Sequence, residues 1–114
     1  MAIDLEYLSQ LSDGDREFEA ELLSVYLEDT ASHLAALEEA VAAGSVDRIE
    51  REAHHIKGAS GNVGALGMNI LAAELESLGR QKTAAGADRL TLKLRAEFAA
   101  VQSFIQAYIV GSNP

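Results

Sequence analysis

An all-α fold, an up-down-up-down antiparallel four-helix bundle with a short additional helix at the N-terminus, is predicted by three features of the sequence. Apolar residues recur at three- and four-residue spacing over four long stretches. The connections between those stretches are only a few residues long, which makes consecutive helices antiparallel neighbours. The one proline, Pro114, is terminal, so no helix interior carries a breaker of that kind.

In chain order, Leu5, Leu8 and Leu11 are spaced for one short amphipathic helix, and Ser12-Asp13-Gly14-Asp15 supplies both its stop and the next N-cap. Phe18, Leu22 and Val25 lead into Leu23, Leu27, Thr30, Leu34, Leu37 and Val41, which predicts a helix over 15–43. Gly44 closes it and Ser45 is placed to cap the following helix, over 46–62. On that third helix Ile49, Ala53, Ile56, Ser60 and Val63 gather on one core-facing stripe, with Ser60 expected to bond a carbonyl of the preceding turn. Gly64-Ala65 breaks the run, and Met68, Leu71, Leu75 and Leu78 form a fourth inward stripe ending near Thr83. The last helix, 88–110, points Leu90, Leu94, Phe98, Val101, Ile105 and Tyr108 to one side. The 114 residues are read as a single domain, 1–114, large enough for one core.

Composition removes several function classes. Without cysteine there are no disulfides and no thiolate metal sites. The net charge of −9 argues against nucleic acid or an anionic membrane surface as partner, because both are bound through clustered Lys and Arg. The acidic N-terminus lacks the basic start and apolar run of a signal peptide, and the uncharged stretch 98–111 is too short to cross a bilayer, so a soluble, cytoplasmic protein is expected. Residues 1–39 carry eleven acids against the single base Arg16, a balance of −10, which leaves residues 40–114 at +1. Arg48, Arg51 and Lys57 fall in that near-neutral part, where an anionic group is tolerated.

The face of the third helix opposite its core stripe holds His54, Lys57, Gly58 and Gly61. Each glycine inside a helix costs about 1 kcal/mol relative to alanine, so their presence one and two turns from a histidine suggests that something approaches closely there. The order Ala53-His54-His55-Ile56-Lys57-Gly58-Ala59-Ser60, continuing through Val63-Gly64-Ala65 and joined by Leu75-Glu76, resembles the histidine-containing phosphotransfer (HPt) domains of two-component phosphorelays. The resemblance covers 53–76 as motif and nearly the whole chain as architecture.

That resemblance implies a phosphocarrier in which His54 takes a phosphoryl group from the aspartate of one receiver domain and hands it to another. It also implies that Glu76, 22 residues on, accepts from Nδ1–H of His54. A carboxylate there holds the tautomer and makes Nε2 more basic. Lys57 places positive charge beside the transferring group, which suits a loose transition state with charge on its equatorial oxygens. Gly58 leaves room for the docking receiver. The partners implied are receiver domains of response regulators or hybrid histidine kinases, which supply the Mg²⁺; no cofactor or nucleotide site of its own is expected, and no ATP-dependent activity. The alternative donor is the ATP-binding domain of a chemotaxis-type histidine kinase.

The remaining histidines have plainer readings. His55 is rotated about 100° from His54, off the face of Lys57 and Gly58, and His33 on the acidic second helix is expected to be solvated. Glu52-x-x-His55 is the unit that holds di-iron sites inside four-helix bundles. Such a site needs two of these units, and neither His33 nor His54 has a glutamate three residues before it, so no metal site is expected. A helical interaction module without phosphorylation is disfavoured by the intact His54, Lys57 and Gly58.

Overall fold

The computed structural model describes residues 2–112; Met1, Asn113 and Pro114 lie outside the described residues. Five helices follow in order: α1 (Leu5–Ser12), α2 (Arg16–Ala43), α3 (Val46–Val63), α4 (Leu66–Arg80) and α5 (Ala87–Ser112). Among the described residues there is no strand, and no helix is long and apolar enough to cross a membrane.

Capping residues set the boundaries. Asp4 and Asp15 each accept a bond from a backbone N–H three residues on, at Tyr7 and Phe18, satisfying donors that the first turn leaves open. Ser45 occupies the N-cap position of α3 but makes no side-chain capping bond. Gly44 and Gly64 end α2 and α3 in the left-handed conformation, φ 67° and 77°, which a residue without Cβ adopts at little cost. The end of α4 comes at Arg80, earlier than the expected Thr83, because Lys82 turns left-handed (φ 59°) and the N–H groups of Lys82 and Thr83 fold back onto Gly79 and Leu78 carbonyls.

Helices α2 to α5 form the bundle, each packed on its neighbour in sequence, with α5 closing back onto α2. The particle measures 47 × 20 × 19 Å. At about 1.5 Å per residue, the 28 residues of α2 outrun the 18 of α3 by roughly 15 Å. The short N-terminal helix α1 lies at that overhanging end, tied down by a bond from Asp4 N–H to the Gly64 carbonyl and by buried Ile3 and Leu8.

All five residues of the expected α3 stripe are buried, as are Leu23, Thr30, Leu34 and Leu37 of α2, Met68 and Leu75 of α4, and Leu94, Phe98, Val101 and Ile105 of α5. The start of α2 differs from expectation. Phe18 and Val25 are exposed, and Glu19 is buried in place of an apolar residue. Its carboxylate is satisfied from both sides, by the Ser12 hydroxyl and by the Tyr108 hydroxyl, each at 2.5 Å. Ser60 finds its partner across the core, in the Tyr26 hydroxyl at 2.8 Å, rather than in the preceding turn.

Candidate functional site

His54 sits midway along α3, with its side chain 69% exposed and its Nδ1 2.5 Å from Oε2 of Glu76 on α4. Glu76 is itself only 6% exposed. Such a buried carboxylate is tolerable only when well partnered, and its partners are cationic: Lys57 Nζ lies 2.6 Å from Oε1, and an Arg80 guanidinium nitrogen lies 3.1 Å from Oε2. Arg80 also reaches toward Glu50, at 3.7 Å.

The hydrogen bond from the Lys57 ammonium, with a further contribution from His54, holds the Glu76 carboxyl below the usual carboxylate range against the opposing effect of burial. An ionised carboxylate accepts and cannot donate. Nδ1 of His54 therefore carries the hydrogen in the bond to Glu76, and in the neutral ring Nε2 is left with its lone pair on the exposed side. Chemically, such an arrangement suits an oriented nucleophile: a fixed tautomer, an open nitrogen, and a carboxylate able to balance positive charge on the ring.

Packing fixes the register behind this geometry. Gly79 allows α3 and α4 to approach so closely that a Cβ there would lie 2.7 Å from Glu50 N and 2.8 Å from the Val46 carbonyl. Further along, the Asn69 amide donates to the Lys57 carbonyl at 2.9 Å, and Gly61 faces that same amide. Together these contacts place Glu76 level with His54.

An open cleft of about 610 Å³ between α3 and α4 is lined by Asp47, Glu50, Arg51, His54, Glu76 and Arg80. A shallower groove toward α2 is bordered by Asp29, His54, His55, Gly58, Ala59 and Asn62. The exposed imidazole of His54 stands between the two. A Cβ on Gly58 would meet nothing within 4 Å, so the glycine is not required by any contact inside the chain.

The family model of the Hpt domain matches residues 21–104, most of the chain. The chain belongs to the Hpt domain family. The solved structure of histidine-containing phosphotransfer protein B from Pseudomonas aeruginosa PAO1 superposes with a TM-score of 0.92 at 26% sequence identity, covering 98% of this chain and 97% of that one. No curated protein matches the sequence. This Hpt domain is a histidine phosphocarrier of a phosphorelay, with a helical-bundle fold.

Of the residues singled out in the sequence, His54, Lys57 and Glu76 come together in one hydrogen-bonded cluster. Gly58 lies apart from it, on the α2 side. Lys57 leans the other way, toward α4, so the two neighbours in sequence border different surfaces. The sequence reading missed Arg80, whose only local signal was its place one turn after Glu76 on a predicted helix. It also missed that His33 is engaged: this residue is half-buried, stacked on His55, and 2.6 Å from Glu52.

Proposed function

We propose that His54 is the phosphoryl-carrying residue of this Hpt domain and that Nε2 is the reacting atom. The observation that carries the reading is the bond between Nδ1 and an ionised, nearly buried Glu76, which leaves Nε2 nucleophilic and facing solvent.

The Nε2 lone pair attacks the phosphorus of an aspartyl phosphate presented by a receiver domain. The new N–P bond forms as the P–O bond to the aspartate breaks, and the aspartate leaves as a carboxylate. The ring keeps its Nδ1 hydrogen and becomes cationic, opposite the Glu76 carboxylate. The return transfer is the reverse of the same step, to the aspartate of a second receiver. Lys57 and Arg80 hold Glu76 ionised and in place, and Arg51 and Arg80 line the cleft where phosphoryl oxygens would lie.

The Mg²⁺ used in such transfers fits the receiver side. The cleft beside His54 is lined by two arginines and three carboxylates, and each carboxylate is already paired with a cationic side chain, Glu76 with Lys57 and Arg80, Glu50 with Arg80 and Asp47 with Lys82, rather than gathered to hold a divalent ion. Gly58, with open space where a side chain would project, gives the partner room to approach along the α2–α3 groove.

Incubating the protein with a panel of phosphorylated receiver domains, and separately with histidine-kinase cores and ATP, tests the reading. Transfer from one or more receivers without ATP is expected. Labelling only by a kinase core would replace the receiver with a kinase domain as the donor, and labelling by neither would refute the carrier role of the site.

A further inference from the structure

A second cluster of titratable groups lies outside the His54–Glu76 pair, where α2 faces α3. The rings of His33 and His55 stack, with centroids 3.6 Å apart and planes 24° from parallel. Nε2 of His55 is 2.6 Å from Oδ2 of Asp29, and Nε2 of His33 is 3.5 Å from Oδ1 of the same carboxylate. Nδ1 of His33 is 2.6 Å from Oε2 of Glu52. Asp29, His33 and His55 each offer one ligand atom, and all three atoms lie within 4.8 Å of one another.

Hydrogen bonding makes this cluster more than a surface ion pair. Ionised Glu52 accepts only, so Nδ1 of His33 donates to it, and in the neutral ring Nε2 then directs its lone pair toward an anionic oxygen of Asp29. At 2.6 Å from Oδ2, His55 donates its Nε2–H to the same carboxylate. A divalent ion takes the place of that proton, the ring hydrogen moving to Nδ1, and is then held by both Nε2 atoms and the carboxylate at once. The surroundings attract it, since residues 1–39 carry a balance of −10.

We propose that Asp29, His33 and His55 form a binding site for a divalent transition-metal ion of the zinc class, held by both Nε2 atoms and the Asp29 carboxylate, with water completing the shell. Imidazole and carboxylate ligands in this number suit Zn²⁺ with an open position. Glu52 is a positioning residue, the carboxylate behind a metal-binding histidine that fixes its tautomer. Ligands about 2 Å from an ion stand roughly 3.3 Å apart, so the 3.5 Å between His33 and Asp29 already suits an ion, while the 2.6 Å contact between His55 and Asp29 opens slightly on binding; the exposed His55 side chain has that freedom. The sequence expectation of no metal considered Glu52 and His55 as paired ligands. The fold instead pairs Glu52 with His33 and brings Asp29 to His55, which no local spacing reveals. The site stands independently of the phosphocarrier reading, although it borders the same groove as Gly58.

Tag-free, chelator-treated protein titrated with Zn²⁺ by calorimetry tests the site, with the histidine ring signals followed by NMR. Saturable one-to-one binding is expected, shifting the rings of His33 and His55. His33→Gln and His55→Gln, each checked for native helicity, should abolish it. Glu52→Gln should weaken it about 10- to 100-fold, and His54→Gln should leave it intact. The proposal is overturned by absence of saturable binding, by binding that survives both His33→Gln and His55→Gln, or by binding that His54→Gln removes.

Discussion

Replacing Gly58 should make the protein more stable and a poorer carrier, in opposite proportion to what a structural glycine would do. Gly58 lies inside α3 with no left-handed φ, and an added Cβ meets nothing within 4 Å. Alanine there removes only the propensity penalty of glycine, about 0.8–1 kcal/mol. With an unfolding entropy of about 2.1 cal/mol/K per residue, that gain raises Tm by about 4 °C for this chain. Gln is a slightly weaker helix former than Ala, so Gly58→Gln should gain about 0.5 kcal/mol. The same alanine change at Gly79 provides the internal contrast, because its Cβ would press on α3 backbone atoms at 2.7–2.8 Å. Overpacking of that kind costs about 1–3 kcal/mol, which outweighs the same propensity gain. Thermal and urea melts of the three variants measure the stability side. On the functional side, a Gln side chain projecting from Gly58 should slow transfer from a subsaturating receiver by about tenfold, equivalent to about 1.4 kcal/mol of docking. Loss of stability in Gly58→Ala, or wild-type transfer by Gly58→Gln, would refute the reasoning and leave Gly58 a local backbone role.

Three further outcomes follow from the hydrogen-bond networks. Lys57→Met should destabilise the protein by about 1–2 kcal/mol at pH 7 by stripping a charged partner from a nearly buried Glu76. Because the folded state lowers the Glu76 pKa, that contribution is present above the ordinary carboxylate value and is lost as pH falls through the lower folded value; the wild-type-minus-variant difference in urea melts should shrink accordingly. Glu76→Ala should release the His54 tautomer, seen in the ¹⁵N signals of the ring, and slow transfer more than Glu76→Gln, whose amide oxygen still accepts from Nδ1–H; identical ring signals in all three proteins would remove Glu76 from the site. Tyr108→Phe should cost about 1–3 kcal/mol through the buried Glu19 carboxylate it leaves short of a donor, with transfer unchanged because the network lies at the α1 end of the bundle.

Much of this architecture was legible because helical periodicity and end signals act locally. The α3 stripe, the left-handed Gly44 and Gly64, and the capping Asp15 needed no knowledge of neighbours. Errors came where tertiary contacts override local hydrophobicity. At the start of α2 the pattern favoured Phe18 inward, yet it is Glu19 that is buried, because Tyr108, 89 residues away, and Ser12 supply its donors. The candidate site divides in the same way. His54, Lys57 and Gly58 stand within one helix turn and carry the family motif, whereas placing Glu76 opposite His54 depends on the close α3–α4 register that Gly79 permits. Arg80, and the meeting of Asp29, His33, Glu52 and His55, depend on which helices pack side by side, and no spacing within one helix encodes that.

The most direct test of the central claim is the location and chemistry of the phosphoryl label after incubation with a phosphorylated receiver. Wild-type protein and His55→Gln are expected to take up label that is lost in acid and kept in alkali, as for a phosphoramidate, while His54→Gln takes up none. Label persisting on His54→Gln, or an acid-stable label on the wild type, would contradict the assignment of His54 as the carrier.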